Sequence, residues 1–154
     1  MIPVKFEKLR NDAYPPKKMY ESDACFDIYT PDAFDIGPNE TKMVFLGFRT
    51  EIPEGFEVQI RSRGSLALGG ITVHNAPGTI DAGFRGEWGI MLHNNDDCTR
   101  GFKRGDRIAQ CCLRIVLNWY LEETKDGIEI SDSYDERGEA GFGSTGLHIA
   151  NTKD

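Results

Sequence analysis

Apolar and polar residues alternate in short runs along most of this chain. In residues 3–9, Val4 and Phe6 fall on one face, with Lys8 in phase with them. Residues 25–29 are half apolar, and residues 42–52 are dense in Val, Phe, Leu and Ile up to Pro53. The same style returns in residues 56–60, 71–74, 87–93 and 107–117. A period of two sends successive side chains to opposite faces of a strand. Breakers punctuate the runs at Pro31, Gly37-Pro38, Pro53, Gly69-Gly70, Pro77-Gly78 and Gly105-Asp106. Many short strands so spaced predict an all-β sandwich or barrel-like fold. No long segment carries a 3.6-residue apolar period, and a turn or two of helix is expected only at residues 65–68. Beyond Tyr120 the pattern fades. Residues 122–139 are acidic and polar, which predicts an exposed strand and then a linker. The expected organisation is one domain, with a core over residues 1–120 and a C-terminal arm over residues 121–154.

Charge narrows the chemistry. The net charge of −7 argues against a general nucleic-acid binder, whose affinity rests on many Lys and Arg contacts to phosphates. A few local Arg residues can still hold a small anion. No apolar run approaches the roughly 20 residues needed to span a bilayer, and the opening MIPVKFEKLR lacks a signal-peptide apolar stretch. No membrane partner is expected, and the expected location is the cytoplasm, or a host cytoplasm for a viral gene. Cys25, Cys98, Cys111 and Cys112 form no CxxC pair, so buried free thiols are expected rather than a zinc site or a disulfide framework.

The segment RGEAGFGSTG, residues 137–146, is rich in glycine yet fits neither common phosphate loop. A Walker loop needs a Lys after the last glycine and a helix behind it; here LHIANTKD follows. What remains is a backbone able to wrap an anion, with hydroxyls from Ser144 and Thr145 and a guanidinium fork from Arg137. Phe142 between glycines is free to stack on a flat ligand. Phosphate donors beside a stacking ring suggest a nucleotide; an unstructured tail is the alternative. In NAPGTIDAGFRGEWG, residues 75–89, a Pro-Gly turn and a Gly-Phe-Arg-Gly segment predict a hairpin exposing backbone groups to a base edge. Asp81, between Ile80 and Ala82, reads as a partly enclosed carboxylate able to deprotonate a water, or as a plain turn former. RSRGSLALGG, residues 61–70, suits an anion site or a surface loop. GDRIAQ, residues 105–110, is a turn into an apolar strand with Gln110 the polar exception. In DACFDI, residues 23–28, Asp27 is a candidate for holding hydrated Mg2+, or simply faces solvent.

Taken in order, DACFDI, SRGSLA, NAPGTIDAGFRGE, GDRIAQ and RGEAGFGSTG resemble the five motifs of the trimeric deoxyuridine triphosphate nucleotidohydrolases, the dUTPases. The resemblance spans nearly the whole chain. It implies a β-clip or distorted jelly-roll subunit, a homotrimer, and sites shared by three chains, with one chain's arm closing over a site between two others. It implies hydrolysis of dUTP to dUMP and pyrophosphate with Mg2+ as cofactor. Asp81 then matches the residue that positions the attacking water and contacts the deoxyribose 3′-hydroxyl. Asp27 matches the acidic residue associated with Mg2+ through water. Arg63, Gly64, Ser65 and Gln110 match phosphate-binding positions, as do Arg137, Gly143, Ser144 and Thr145 on the arm. Asn75, Gly78 and Ile80 fall in the segment that reads uracil. Phe142 matches the ring stacked on the base, and Phe84 the ring under the sugar that excludes a 2′-hydroxyl. The chain departs from the family at Phe84, where most members have Tyr, at Gly64, which replaces a Ser, and at Cys25 and Ala140, where glycine is common.

Two rival readings remain. The related dCTP deaminases need a glutamate in the strand after the hairpin. Here that strand reads EWGIMLHN, with Met91 at the position and Glu87 at the strand's other end. The other rival is a binding or signalling module switched by nucleotide occupancy, for which an arm that orders over a ligand would serve.

Overall fold

The computed structural model describes residues 1–124 and Ile130. The chain divides into two compact units, Met1–Asn118 and Trp119–Asp154, and every described strand lies in the first. In chain order these are β1 (Lys5–Lys8), β2 (Phe26–Tyr29), β3 (Phe34–Ile36), β4 (Thr41–Phe45), β5 (Phe48–Glu51) and β6 (Phe56–Arg61). After the short helix α1 (Gly64–Leu68) come β7 (Ile71–Val73), β8 (Gly78–Asp81), β9 (Gly89–Asn94), β10 (Arg100–Phe102) and β11 (Arg107–Ile115).

Among the described residues, four small sheets enclose one core. The largest runs β2-β11-β6-β8, and a second runs β4-β9-β7. The pairs β1-β5 and β10-β3 complete the set. All of the pairings are antiparallel. Each strand contributes its inward residues. Val58 and Ile60 are buried on β6, Ile90 and Leu92 on β9, and Ile108 on β11. They close on Ile28, Ile36, Leu46, Phe48 and Ile71. Phe48 packs against Phe6 at 4.9 Å and Trp88 at 5.1 Å between ring centroids, and the Trp88 indole N–H donates to Thr50 Oγ1 at 3.1 Å. Asn94 is fully buried, yet its amide donates to the carbonyls of Ile36, Gly37 and Cys98, so none of its donor capacity is wasted.

The structure departs from the sequence-based expectations in several places. The apolar run 42–52 is two strands, not one. Gly47 turns the chain at φ 73°, so that β4 joins β9 while β5 joins β1. A run apolar at every position hides such a break, because it has no period to interrupt. Residues 75–89 are not a hairpin either. β7 belongs to the β4-β9-β7 sheet and β8 to the other, so the turn between them crosses from sheet to sheet. Three-residue strands such as β3 and β10 are too short to reveal alternation. Of the strand expected in residues 122–139, residues 122–124 are irregular, and the rest lies outside the described residues save Ile130, also irregular. The thiols are free as expected, but Cys98 is exposed and only Cys111 and Cys112 are buried. Burial pushes the Cys111 thiol up to about 12. Among the described residues no helix is long and apolar enough to cross a membrane.

Candidate active site

Asp27 is the hub. Its backbone pairs with Lys17 on one side, N–H to carbonyl at 2.9 Å and back at 3.1 Å, and with Gln110 of β11 on the other. Its side chain is only 14% exposed and accepts from two guanidinium groups, Arg63 Nε at 2.9 Å and Arg107 Nη1 at 3.2 Å. Arg63 also donates to the carbonyl of Arg107 at 3.3 Å. One carboxylate thus ties together the segments 23–28, 61–70 and 105–110. Gln110, opposite both Asp27 and Arg61 in the sheet, donates its amide to the carbonyl of Ser62 at 2.8 Å. The Ser62 hydroxyl in turn accepts the Val73 N–H at 2.8 Å, joining this loop to the start of the 74–77 turn. Arg63 stands at the head of α1, followed by Gly64, where an added Cβ would meet nothing within 4 Å, and by exposed Ser65. That open space lets an anion approach the backbone N–H groups closely.

Asp27 was expected either near a hydrated cation or facing solvent, and the second alternative fails: the side chain is enclosed by cations. Arg107 and Ser62 were not singled out in the sequence. Both sit inside quoted motifs, but a strand-end Arg and a loop Ser carry no period that marks them. Among the described residues, the only cluster of three metal-ligating groups is Asp96, Asp97 and Cys98, on the loop after β9. Asp27 belongs to no such cluster. With both oxygens accepting from guanidinium groups and spare lone pairs on each, it fits outer-sphere contact to a hydrated Mg2+, not direct ligation.

The second group of residues lies along β8. Asn75 is exposed and its amide lies over Gly78, where an added Cβ would come to 3.1 Å from Asn75 Nδ2. Ile80 is half-buried against the core. Asp81 ends the strand opposite Glu57 and is exposed, not partly enclosed as expected. Its carbonyl accepts the Phe84 N–H at 3.0 Å, which closes a tight turn. The Arg85 guanidinium spans that turn, donating to the carbonyls of Ala82 and Phe84 at 2.5 and 2.9 Å. Glu87 is engaged elsewhere, accepting the Gly47 N–H at 2.7 Å, and Met91 lies opposite Met43 of β4. No acid stands in that strand where a deaminase would need one.

The two groups do not converge within one chain. Asp81 pairs with Glu57, and Arg61 lies four residues further along β6, about 13 Å away at strand rise. Arg63 is beyond it. The arm residues Arg137, Phe142, Gly143, Ser144 and Thr145, with Ala140, lie outside the described residues.

The fold is of the β-clip, jelly-roll-like class. Solved structures share this fold. One is a Tyr-to-Phe variant of the Staphylococcus bacteriophage 80alpha dUTPase with dUpNHpp, at TM-score 0.83 and 25% identity over 94% of this chain and 99% of that one. Another is a dUTPase variant from phage phi11 of S. aureus, described with a structural Mg(II) ion, at TM-score 0.74 and 21% identity over 80% of this chain and 97% of that one. A deoxyuridine 5′-triphosphate nucleotidohydrolase of Clostridium tetani is 40% identical over 144 residues, 93% of this chain and 96% of its own. The sequence pattern of the dUTPase family matches residues 11–146. The chain belongs to the dUTPase family, and its activity is hydrolysis of dUTP.

Proposed function

We propose that this chain hydrolyses dUTP to dUMP and pyrophosphate by in-line attack of water on the α-phosphorus, in a homotrimer whose sites are shared between chains. Asp81 orients the water and takes its proton. Arg63, Gly64, Ser65 and Gln110 hold the phosphates, so catalysis is chiefly positioning and charge neutralisation. Asn75, Gly78 and Ile80 read the base, and Phe84 lies under the sugar. The arm, residues 121–154, brings Phe142 onto the uracil and Arg137, Gly143, Ser144 and Thr145 onto the phosphates. Mg2+ carried on the triphosphate would neutralise charge building on the leaving pyrophosphate, with Asp27 reaching its hydration shell. The expected setting is the cytoplasm.

The observation that carries this reading is the Asp27 hub. Asp27 holds the Arg63 guanidinium, and Gln110, its neighbour across the sheet, holds the Ser62 carbonyl next to Arg63 in sequence, an arrangement that suits a phosphate-binding wall. Sharing is supported by the separation of Asp81 from Arg63 along one sheet. The test is a nucleotide panel with pyrophosphate detection. Release from dUTP, with none from UTP, dCTP or dTTP, is the expected result; an inactive pure protein would refute it.

A further inference from the structure

Phe84 has no hydroxyl, so no hydrogen bond can hold its ring. Phe84 is 42% exposed. What it rests on is Gly86. A Cβ built there would come to 2.5 Å from Phe84 Cζ, 2.9 Å from Cε2 and 3.4 Å from Cε1. Carbon atoms in contact settle at about 3.5–4.0 Å, so any side chain at this position drives the ring back by about 1 Å or more. The backbone is already fixed from the other side: the Phe84 N–H bonds the Asp81 carbonyl, and Arg85 clamps the carbonyls of Ala82 and Phe84. The ring is therefore the part that must yield.

We infer that Gly86 is a positioning residue for substrate selection: its missing side chain seats the Phe84 ring where it closes the space a 2′-hydroxyl would need. This rests on the reading of Phe84 as the ring under the sugar. Gly86 is not in the left-handed region, so its backbone accepts Ala without strain. Its requirement for glycine comes from the ring alone. Gly83, in the same turn, supplies the control. It too has no left-handed φ, and an added Cβ there meets nothing within 4 Å.

The experiment compares kcat/KM for dUTP and UTP in four variants: Gly86→Ala, Gly83→Ala, Phe84→Ala and the double variant Phe84→Ala/Gly86→Ala. Thermal unfolding is recorded for each. Gly86→Ala should lower the preference for dUTP over UTP about tenfold, mostly through a lower KM for UTP. The kcat for dUTP should hold, because Asp81 is untouched. Gly83→Ala should keep the parent preference. In the Phe84→Ala background, Gly86→Ala should change nothing further, since a residue acting through the ring has no effect without it. If Gly86→Ala keeps the parent preference, or costs as much with the ring absent, the inference is wrong while the reading of Phe84 stands. If Phe84→Ala itself keeps the preference, both fall together.

Discussion

Two carboxylates of the same residue type are put to opposite uses by their surroundings. Asp81 is exposed at the end of β8, free to meet a water or a nucleotide. Asn at this position keeps the shape but cannot take a proton. Asp81→Asn is expected to abolish turnover while retaining nucleotide binding; a full rate in a pyrophosphate-release assay would remove Asp81 from the chemistry. Asp27 is held between Arg63 and Arg107, and its loss leaves two mostly covered arginine side chains without their shared carboxylate. Asp27→Asn should cost roughly 1–3 kcal/mol in urea unfolding and raise KM for dUTP, because Arg63 loses its anchor. Unchanged values on both counts would mean that the hub does not position the wall.

The junctions between elements are where this fold is most specifically written. Gly47 separates β4 from β5 at φ 73°, and an added Cβ there would collide with the Arg10 stem and approach Ala13. Gly47→Ala is therefore expected to destabilise by roughly 1–3 kcal/mol, read as a lower denaturant midpoint with unchanged slope. Arg10 itself clasps two turns, donating to both oxygens of Asp12 at 2.6 and 2.8 Å and to both of Asp32 at 2.6 and 3.0 Å. These hydrogen bonds hold both aspartates below their ordinary 3.8. A carboxyl with its folded value depressed adds stability that is complete above the unfolded value and lost as pH falls through the folded one. Asp32→Asn should accordingly lower the melting temperature slightly at neutral pH, the pair being exposed. The difference should close in acid below 3.8; a gap that persisted there would show that the clasp acts through something other than charge.

For the whole molecule, the proposed roles of Asp81 and Arg63 call for two residues that one chain keeps apart. Asp81 and Arg63 lie toward opposite ends of the β6–β8 pairing. If neighbouring copies bring them together, two inactive variants should rescue each other. Asp81→Asn and Arg63→Ala chains, unfolded together and refolded as an equal mixture, are expected to regain activity at about one quarter of sites, the random share with both residues intact. No recovery in the mixed assemblies would place the whole site within one chain.

The all-β class and the expected helical turn were legible in the chain because alternation and turn residues act locally, over a few positions. Asp81, Gln110 and Arg63 could be proposed from the sequence for a different reason: each stands in one of five short motifs whose order resembles that of the dUTPases. Legibility ended where partners come from far along the chain. The break inside the 42–52 run depends on β1 and β9 claiming its two halves. The sheet change at residues 74–77 depends on β6 and β9. Asp27 could be read as solvent-facing or metal-linked, but not as the anchor for two arginines, because Arg63 and Arg107 are 36 and 80 residues away. Nor does any local pattern tell that Gly86 is glycine for the sake of a ring two residues earlier, since that need arises only once the turn has folded the ring back onto it. Residue order is enough to choose strands and motifs, whose causes are local. Which face a strand turns inward, which charge neutralises which, and how far apart Asp81 and Arg63 stand are consequences of packing between distant segments, and they exist only in the folded chain.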